Sequence, residues 1–392
     1  MKMRLIHSMM VSLAMMALCA GAQAKDLKVG LVLSASGFYA DAARQIRNGI
    51  DLYLAQHGEM VGGRKVRLIV KDTGGIAPAV AKRAAQELII KDKVDLLAGF
   101  ALTPNAISVA PLATQAKIPM VIMNAATASI TERSPYILRT SMTVPQGAWA
   151  MAQWAYKNGI RKVYTLSADY GPGHDAEAQF TKTFSGLGGH IVGSVRTPVE
   201  NVDYSPYLQR VIDAKPDALF MLIPTGSSLV GAVKEIRNLG LMEKHGIRVL
   251  GTGDSTGEGQ LSAMGDSAVG LITAFHYSQA HDSPENHAYV RAYTKAFPKD
   301  RPDFMSVGGY DGMRLIDMVL KKTGGDASGD AFVGAAKGMR WTSPRGPVQI
   351  DPATRDIIQN EYIRKTERVN GVVQNVEFDV MKAVKDPAKA GY

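Results

Sequence analysis

An α/β fold of two similar lobes, each a mostly parallel sheet covered by helices, is predicted by three observations. Short apolar strands alternate with helical segments, the alternation starts afresh after Arg139, and several strands run directly into turns rich in Ser, Thr, Asn and Gly. The first block opens with 27–33 as an apolar strand, followed by 44–56 as a helix and 65–71 as an alternating strand. Helical spacing returns over 77–90, then a short apolar strand over 94–98, a helix over 106–115 and a strand over 119–123. In the second block, helices are expected at 146–157, 173–185, 204–214 and 229–239. They interleave with strands at 162–167, 190–195, 218–223 and 248–251. Beyond Gly270 the rhythm loosens. A strand at 269–273, helices at 286–297, 306–321 and 332–338, and strands at 346–350 and 376–380 are expected there.

The N-terminus has the order of a secretory signal. Lys2 and Arg4 precede an apolar run over 9–20 and the small-residue site Ala22-Gln23-Ala24, so cleavage after Ala24 and export to the periplasm are expected. The run is short of the roughly 20 residues that span a bilayer, and Leu18 is bulky for a lipid-attachment signal at Cys19. Cys19 is the only cysteine, so the mature chain has neither disulfides nor thiolate metal sites. A chain of this length buries enough apolar surface to fold without such staples.

Removing Lys2 and Arg4 from 45 basic residues, against 36 acidic ones, leaves a net charge of +7. The excess is spread out, with no basic tract interleaved with aromatics, which argues against nucleic-acid binding. No GxGxxG or Walker motif occurs and the mature chain has no cysteine nucleophile, so dinucleotide, nucleoside triphosphate and cysteine-nucleophile chemistry lack support. His174-Asp175 and His281-Asp282 are isolated pairs without the clustering a zinc site needs. No metal, cofactor or catalytic residue is therefore expected.

Three strand ends carry the binding chemistry. Ser34-Ala35-Ser36-Gly37-Phe38-Tyr39 follows the first strand, Thr103-Pro104-Asn105 follows 94–98, and Asn124-Ala125-Ala126-Thr127 follows 119–123. A parallel sheet brings such edges together, where hydroxyls and free N–H groups form a cradle for a carboxylate. The same residues also suit plain chain reversal or helix capping. Tyr39, Tyr170 and Tyr277 suit ring contacts to a ligand and equally suit packing.

With these segments in order, the chain resembles the type I periplasmic receptors of the branched-chain amino-acid transport family. The resemblance covers nearly all of 25–380 through the Ser36-Gly37 turn, Val61-Gly62-Gly63-Arg64-Lys65-Val66, Asp72, Gly99, 119–127, Leu138-Arg139-Thr140 and Asp169-Tyr170-Gly171-Pro172-Gly173. It implies a type I periplasmic binding fold: two Rossmann-like lobes, three interlobe crossings and a central ligand cleft. Lobe 1 is expected from 25–142 and 268–343, lobe 2 from 143–267 and 344–380, and a tail from 381–392. The crossings fall near 140–145, 265–270 and 340–346.

The resemblance also implies the roles of individual residues. Thr103, Ala125 and Thr127 would bind the ligand's carboxylate and part of its amino group, Tyr170 would meet it from the second lobe, and Asp254 would pair with an ammonium. Tyr39 and Tyr277 complete the candidate site. Family members often carry an aromatic residue where this chain has Ala42, and a serine-rich segment where it has Ala101-Leu102-Thr103-Pro104. The expected ligand is an amino acid, branched-chain or otherwise aliphatic, held through its carboxylate and ammonium; because those departures admit an aromatic ring, an aromatic carboxylate of the benzoate or phenylpropanoid kind is the alternative. The implied role is that of a monomeric receptor which closes on its ligand without covalent chemistry. It then docks to an inner-membrane permease whose ATPase supplies the energy.

Overall fold

The computed structural model describes residues 25–389; the proposed signal, 1–24, lies outside the described residues. The first sheet forms from β1 (Leu27–Leu33), β2 (Met60–Val61), β3 (Arg64–Asp72), β4 (Leu96–Gly99), β5 (Met120–Ile122) and β6 (Ile137–Arg139). Its order is β2-β3-β1-β4-β5-β6, parallel throughout except for β2. Every residue of β1 but Lys28 is buried, as a strand covered on both faces requires. Helices α1 (Ala40–His57), α2 (Pro78–Glu87) and α3 (Thr103–Ala116) connect these strands.

The second lobe begins with α4 (Val144–Lys157), whose entry is fixed by Gln146. Its Oε1 accepts the Thr143 N–H at 2.9 Å while its Nε2 donates to the carbonyls of Ile357 and Val384. Then follow β7 (Lys162–Ala168), α5 (Gly171–Gly186), β8 (His190–Thr197), α6 (Ser205–Ala214), β9 (Ala218–Leu222), α7 (Ser227–Asn238), β10 (Arg248–Thr252), α8 (Glu258–Met264) and β11 (Ile272–Phe275). The chain returns to the first lobe as α9 (Pro284–Ala296), α10 (Phe304–Thr323) and α11 (Gly329–Ala336), where α10 lies along α1. It ends in β12 (Arg340–Ser343), β13 (Gly346–Ile350), β14 (Ile357–Val369) and β15 (Val372–Val384). The second sheet runs β12-β13-β14-β11-β10-β9-β7-β8, with β15 beside β14.

Two expected lobe boundaries move. β11 pairs in parallel with β10 and antiparallel with β14, so the second crossing follows Phe275 rather than falling at 265–270. β12 pairs with β13 and belongs to the second sheet, which places the third crossing before Arg340 rather than at 340–346. The last strand also continues past 380 to Val384, because β14 offers it a partner along nearly its whole length. Among the described residues, no helix is long and apolar enough to cross a membrane.

Candidate functional site

The carboxyl edges of both sheets face one cleft. From the first lobe, β4 leads into α3, whose N-cap Leu102 is extended and whose first turn holds Thr103 and Pro104. The helix thus starts three residues earlier than its apolar spacing suggests, and Thr103 stands at its first position. From the second lobe, β7 leads through extended Tyr170 into α5, which begins Gly171-Pro172-Gly173. The first N–H groups of a helix have no intrahelical acceptor, and its dipole is positive at that end.

These two helix starts meet. A methyl group placed on Gly171 would stand 2.8 Å from Thr127 Oγ1 and 3.7 Å from Thr103 Cγ2. Both threonines are buried, and neither hydroxyl has a hydrogen-bond partner among the described residues. Buried hydroxyls without partners are costly in an apolar setting, so the pair is primed for an acceptor brought in from outside. Just beyond Thr127, the N–H of Ala128 donates to Asp175 Oδ2 of α5 at 2.8 Å, a direct bond between the lobes.

The cavity beside this pair is lined by both lobes. Tyr39, Ala42, Thr103, Tyr170 and Asp254 share it with apolar walls that include Leu102, Ala126, Met142, Leu222 and Met305. Its volume is about 70 Å³. A wider cleft of about 280 Å³ lies outside Tyr39 and Ala42, but its walls carry charges already paired, among them Arg44 with Asp300 at 3.0 Å. The smaller cavity, lined by Thr103 with its unpaired hydroxyl, is the better candidate for a ligand site; Thr127 adjoins it across Gly171 without being one of its lining residues.

Two carboxyls lie at or behind the wall. Burial pushes Asp254 up from 3.8 to about 6, and it pushes Glu361, in the crevice behind Asp254, up to about 8. Burial also raises the Tyr170 hydroxyl well above its ordinary value, with Asp254 adding to the effect. Asp254 is thus easier to protonate folded than unfolded, so its ionisation opposes folding. Its contribution should weaken the protein as pH rises from about 4 through about 6. Asp254→Asn is expected to remove that part of the slope and to stabilise the ligand-free protein at pH 7. Thermal melts of both forms across this range check it.

Not every candidate residue reaches the cavity. The Ala125 N–H is taken by the Phe100 carbonyl at 2.9 Å, and its own carbonyl accepts from Arg139, so Ala125 is scaffold beneath the site. Tyr277 is 1 % exposed, off the cavity wall, and its hydroxyl lies among Glu258, Asp303 and Glu377. The Ser34–Tyr39 turn spends its donors on Asp72. Ala35 and Ser36 give it their N–H groups at 2.8 and 3.3 Å, and the Ser36 hydroxyl bonds it at 2.6 Å. Asn124, from the third strand-end segment, does line the cavity, and so do Thr225 and Met305, which the strand-end segments did not include. Thr225 follows β9 as Thr103 follows β4, so the same strand-end rule points to it. Met305 comes from α10, far along the chain, and nothing local signals it.

Two lobes built on sheets with parallel cores, joined by three crossings around a cleft at the sheet edges, define a two-lobed solute-binding protein. The chain belongs to the periplasmic binding protein family, whose model matches residues 26–370. It is similar to "Leu/Ile/Val-binding protein homolog 6" of Brucella melitensis, 41% identical over 381 residues that cover 96% of this chain and 97% of the relative. A solute-binding protein of an ABC transporter from Rhodopseudomonas palustris, solved in complex with 3,4-dihydroxybenzoic acid, is 50% identical. The match covers 93% of this chain and 99% of that one, with a TM-score of 0.89. A second such protein from another strain of that species, in complex with p-hydroxybenzoic acid, is 43% identical, with coverage of 94% and 100% and a TM-score of 0.91. The chain is accordingly a solute-binding protein of an ABC transporter.

Proposed function

We infer that this receptor takes up an aromatic carboxylate, with a hydroxybenzoate as its type ligand. The observation that carries the reading is the pair of buried, unpartnered hydroxyls, Thr103 and Thr127, beside two converging helix starts. Hydroxyls and first-turn N–H groups are donors suited to a carboxylate, and two positive helix ends favour its charge. The rest of the ligand then meets apolar walls and the rings of Tyr39 and Tyr170, with Ala42 leaving room for its own ring. The hydroxybenzoic acids bound by two relatives above 40% identity support the same choice.

Asp254 would accept a hydrogen bond from the ring hydroxyl. An aliphatic amino acid is the second reading, favoured by the same residue, since an ammonium would pair with a carboxylate on the wall. Ligand contacts to both lobes lower the free energy of the closed form relative to the open one. The closed receptor then docks to the permease, and the transporter's ATPase drives import.

Calorimetric titration of 4-hydroxybenzoate, benzoate, 4-hydroxybenzamide and leucine into ligand-free protein tests the assignment. The aromatic acid should bind tightest and the uncharged amide far more weakly. Thr103→Val and Thr127→Val should each weaken the acid by about 10- to 100-fold, the range for a hydrogen bond to a charged group. Leucine binding more tightly than any aromatic acid would overturn the ligand class, and equal binding of acid and amide would overturn the carboxylate cradle.

A further inference from the structure

The loop that carries Thr127 is held from behind by a chain of buried charges that ends in the last described residues. Arg139, fully buried on β6, donates to the carbonyls of Ala125 at 3.1 Å and Thr127 at 2.8 Å, with a longer bond to Met142 at 3.3 Å. Its guanidinium is paired with Asp356 at 3.0 Å, and Asp356 is itself 1 % exposed. The other oxygen of Asp356 accepts from Lys389 Nζ at 2.7 Å and lies 3.2 Å from the Thr131 hydroxyl. Lys389 Nζ also bonds that hydroxyl at 2.6 Å, so one ammonium grips both the loop and the carboxylate that anchors Arg139.

The tail is shaped for this contact. Asp386 accepts the Ala388 N–H on its side chain at 3.0 Å and the Lys389 N–H on its carbonyl at 3.1 Å, a turn that brings Lys389 inward. Only 8 % of the Lys389 side chain is exposed. A lysine is rarely buried unless its charge is paired, and here the pairing is with a residue that the first lobe needs. Arg139, Asp356 and Lys389 do not themselves line the cavity. Their arrangement fixes where the carbonyls of 125–128 point, and thereby where the Thr127 hydroxyl and the Ala128 N–H point in turn.

We propose that Lys389 and its turn at 386–389 form a latch that positions the carboxylate cradle, acting through Asp356 and Arg139 on the 124–131 loop. The latch joins the end of the second lobe to the binding loop of the first. It also sets the one N–H, that of Ala128, which receives Asp175 when the lobes are together. Lys389 is a positioning residue: without it, Asp356 loses one of its two cations, and Arg139 is freer to release the carbonyls it holds.

The affinity consequence rests on the carboxylate reading above; the effect on the loop does not. Lys389→Met keeps the stem and removes the charge, and Lys389→Arg restores it. In ligand-free full-length protein, Lys389→Met should speed amide hydrogen exchange across 124–131 while β7–β10 stay unchanged, and Lys389→Arg should return it to the wild-type rate. With 4-hydroxybenzoate as probe, Lys389→Met should weaken binding about tenfold, as expected when a buried charge-assisted hydrogen bond is lost. Wild-type exchange over 124–131 in Lys389→Met overturns the latch. Faster exchange with wild-type affinity overturns its positioning role. If wild-type protein binds neither the probe nor any other carboxylate, the carboxylate reading falls and the positioning role falls with it, whatever the exchange data show.

Discussion

Gly171→Ala is expected to weaken ligand binding by about 10- to 100-fold, the cost of forcing an added methyl into a packed contact. The new carbon would lie 2.8 Å from Thr127 Oγ1, an atom of the opposite lobe. Separating the lobes relieves the clash, so the substitution penalises the closed form alone and should leave the melting temperature of the ligand-free protein unchanged. Gly173→Ala makes the contrast. There the methyl would stand 1.9 Å from the Ala168 carbonyl oxygen in its own lobe, and the fold itself should suffer with or without ligand. Calorimetry and thermal melts on the two variants separate these effects. A Gly171→Ala protein that binds like wild type would mean that α5 does not approach the threonines in the bound state.

Asp311→Ala should be the most damaging change to stability, at about 3–5 kcal/mol, because it strands a buried cation. Asp311 accepts from Trp341 Nε1 at 2.8 Å and the Ser343 hydroxyl at 2.7 Å, and it pairs with Arg345 at 2.9 Å, with both charged side chains fully buried. Arg345 in turn donates to Gln359 Oε1 at 2.9 Å and to the Thr140 carbonyl. One guanidinium therefore ties the first crossing, the entry to the last strands and helix α10 together at the hinge. Urea unfolding of the variant measures the loss. A change below about 1 kcal/mol, the value of an exposed pair, would show that this network does not hold the hinge.

The architecture was legible where local pattern and burial agree. β1 and β9 are unbroken apolar runs, and they are strands buried on both faces. β14 was missed for the opposite reason: it carries Gln359, Glu361, Arg364 and Thr366 at buried positions, a composition that reads as surface or loop. Those side chains are buried because they satisfy one another and the crossings, as when Arg364 donates to the Tyr277 carbonyl and the Thr256 hydroxyl. Such pairing depends on residues about 90 to 110 positions away. The candidate site, as the geometry draws it, was legible to the same extent. Thr103 and Thr127 follow strands at a sheet edge, which sequence reveals, whereas the use of the Ala125 N–H and of the Ser34–Tyr39 donors depends on partners it does not. Tyr277 looked like a ring for a ligand because aromatic character cannot say which side of a strand end it will occupy.

The most direct test is a crystal structure of the protein with 4-hydroxybenzoate bound. The predicted result has the carboxylate within hydrogen-bond distance of the Thr103 and Thr127 hydroxyls, at the starts of α3 and α5, with the ring between Tyr39 and Tyr170 and its hydroxyl toward Asp254. A carboxylate placed away from both threonines, or a ligand seated in the outer cleft between Arg44 and Arg301, would contradict the account.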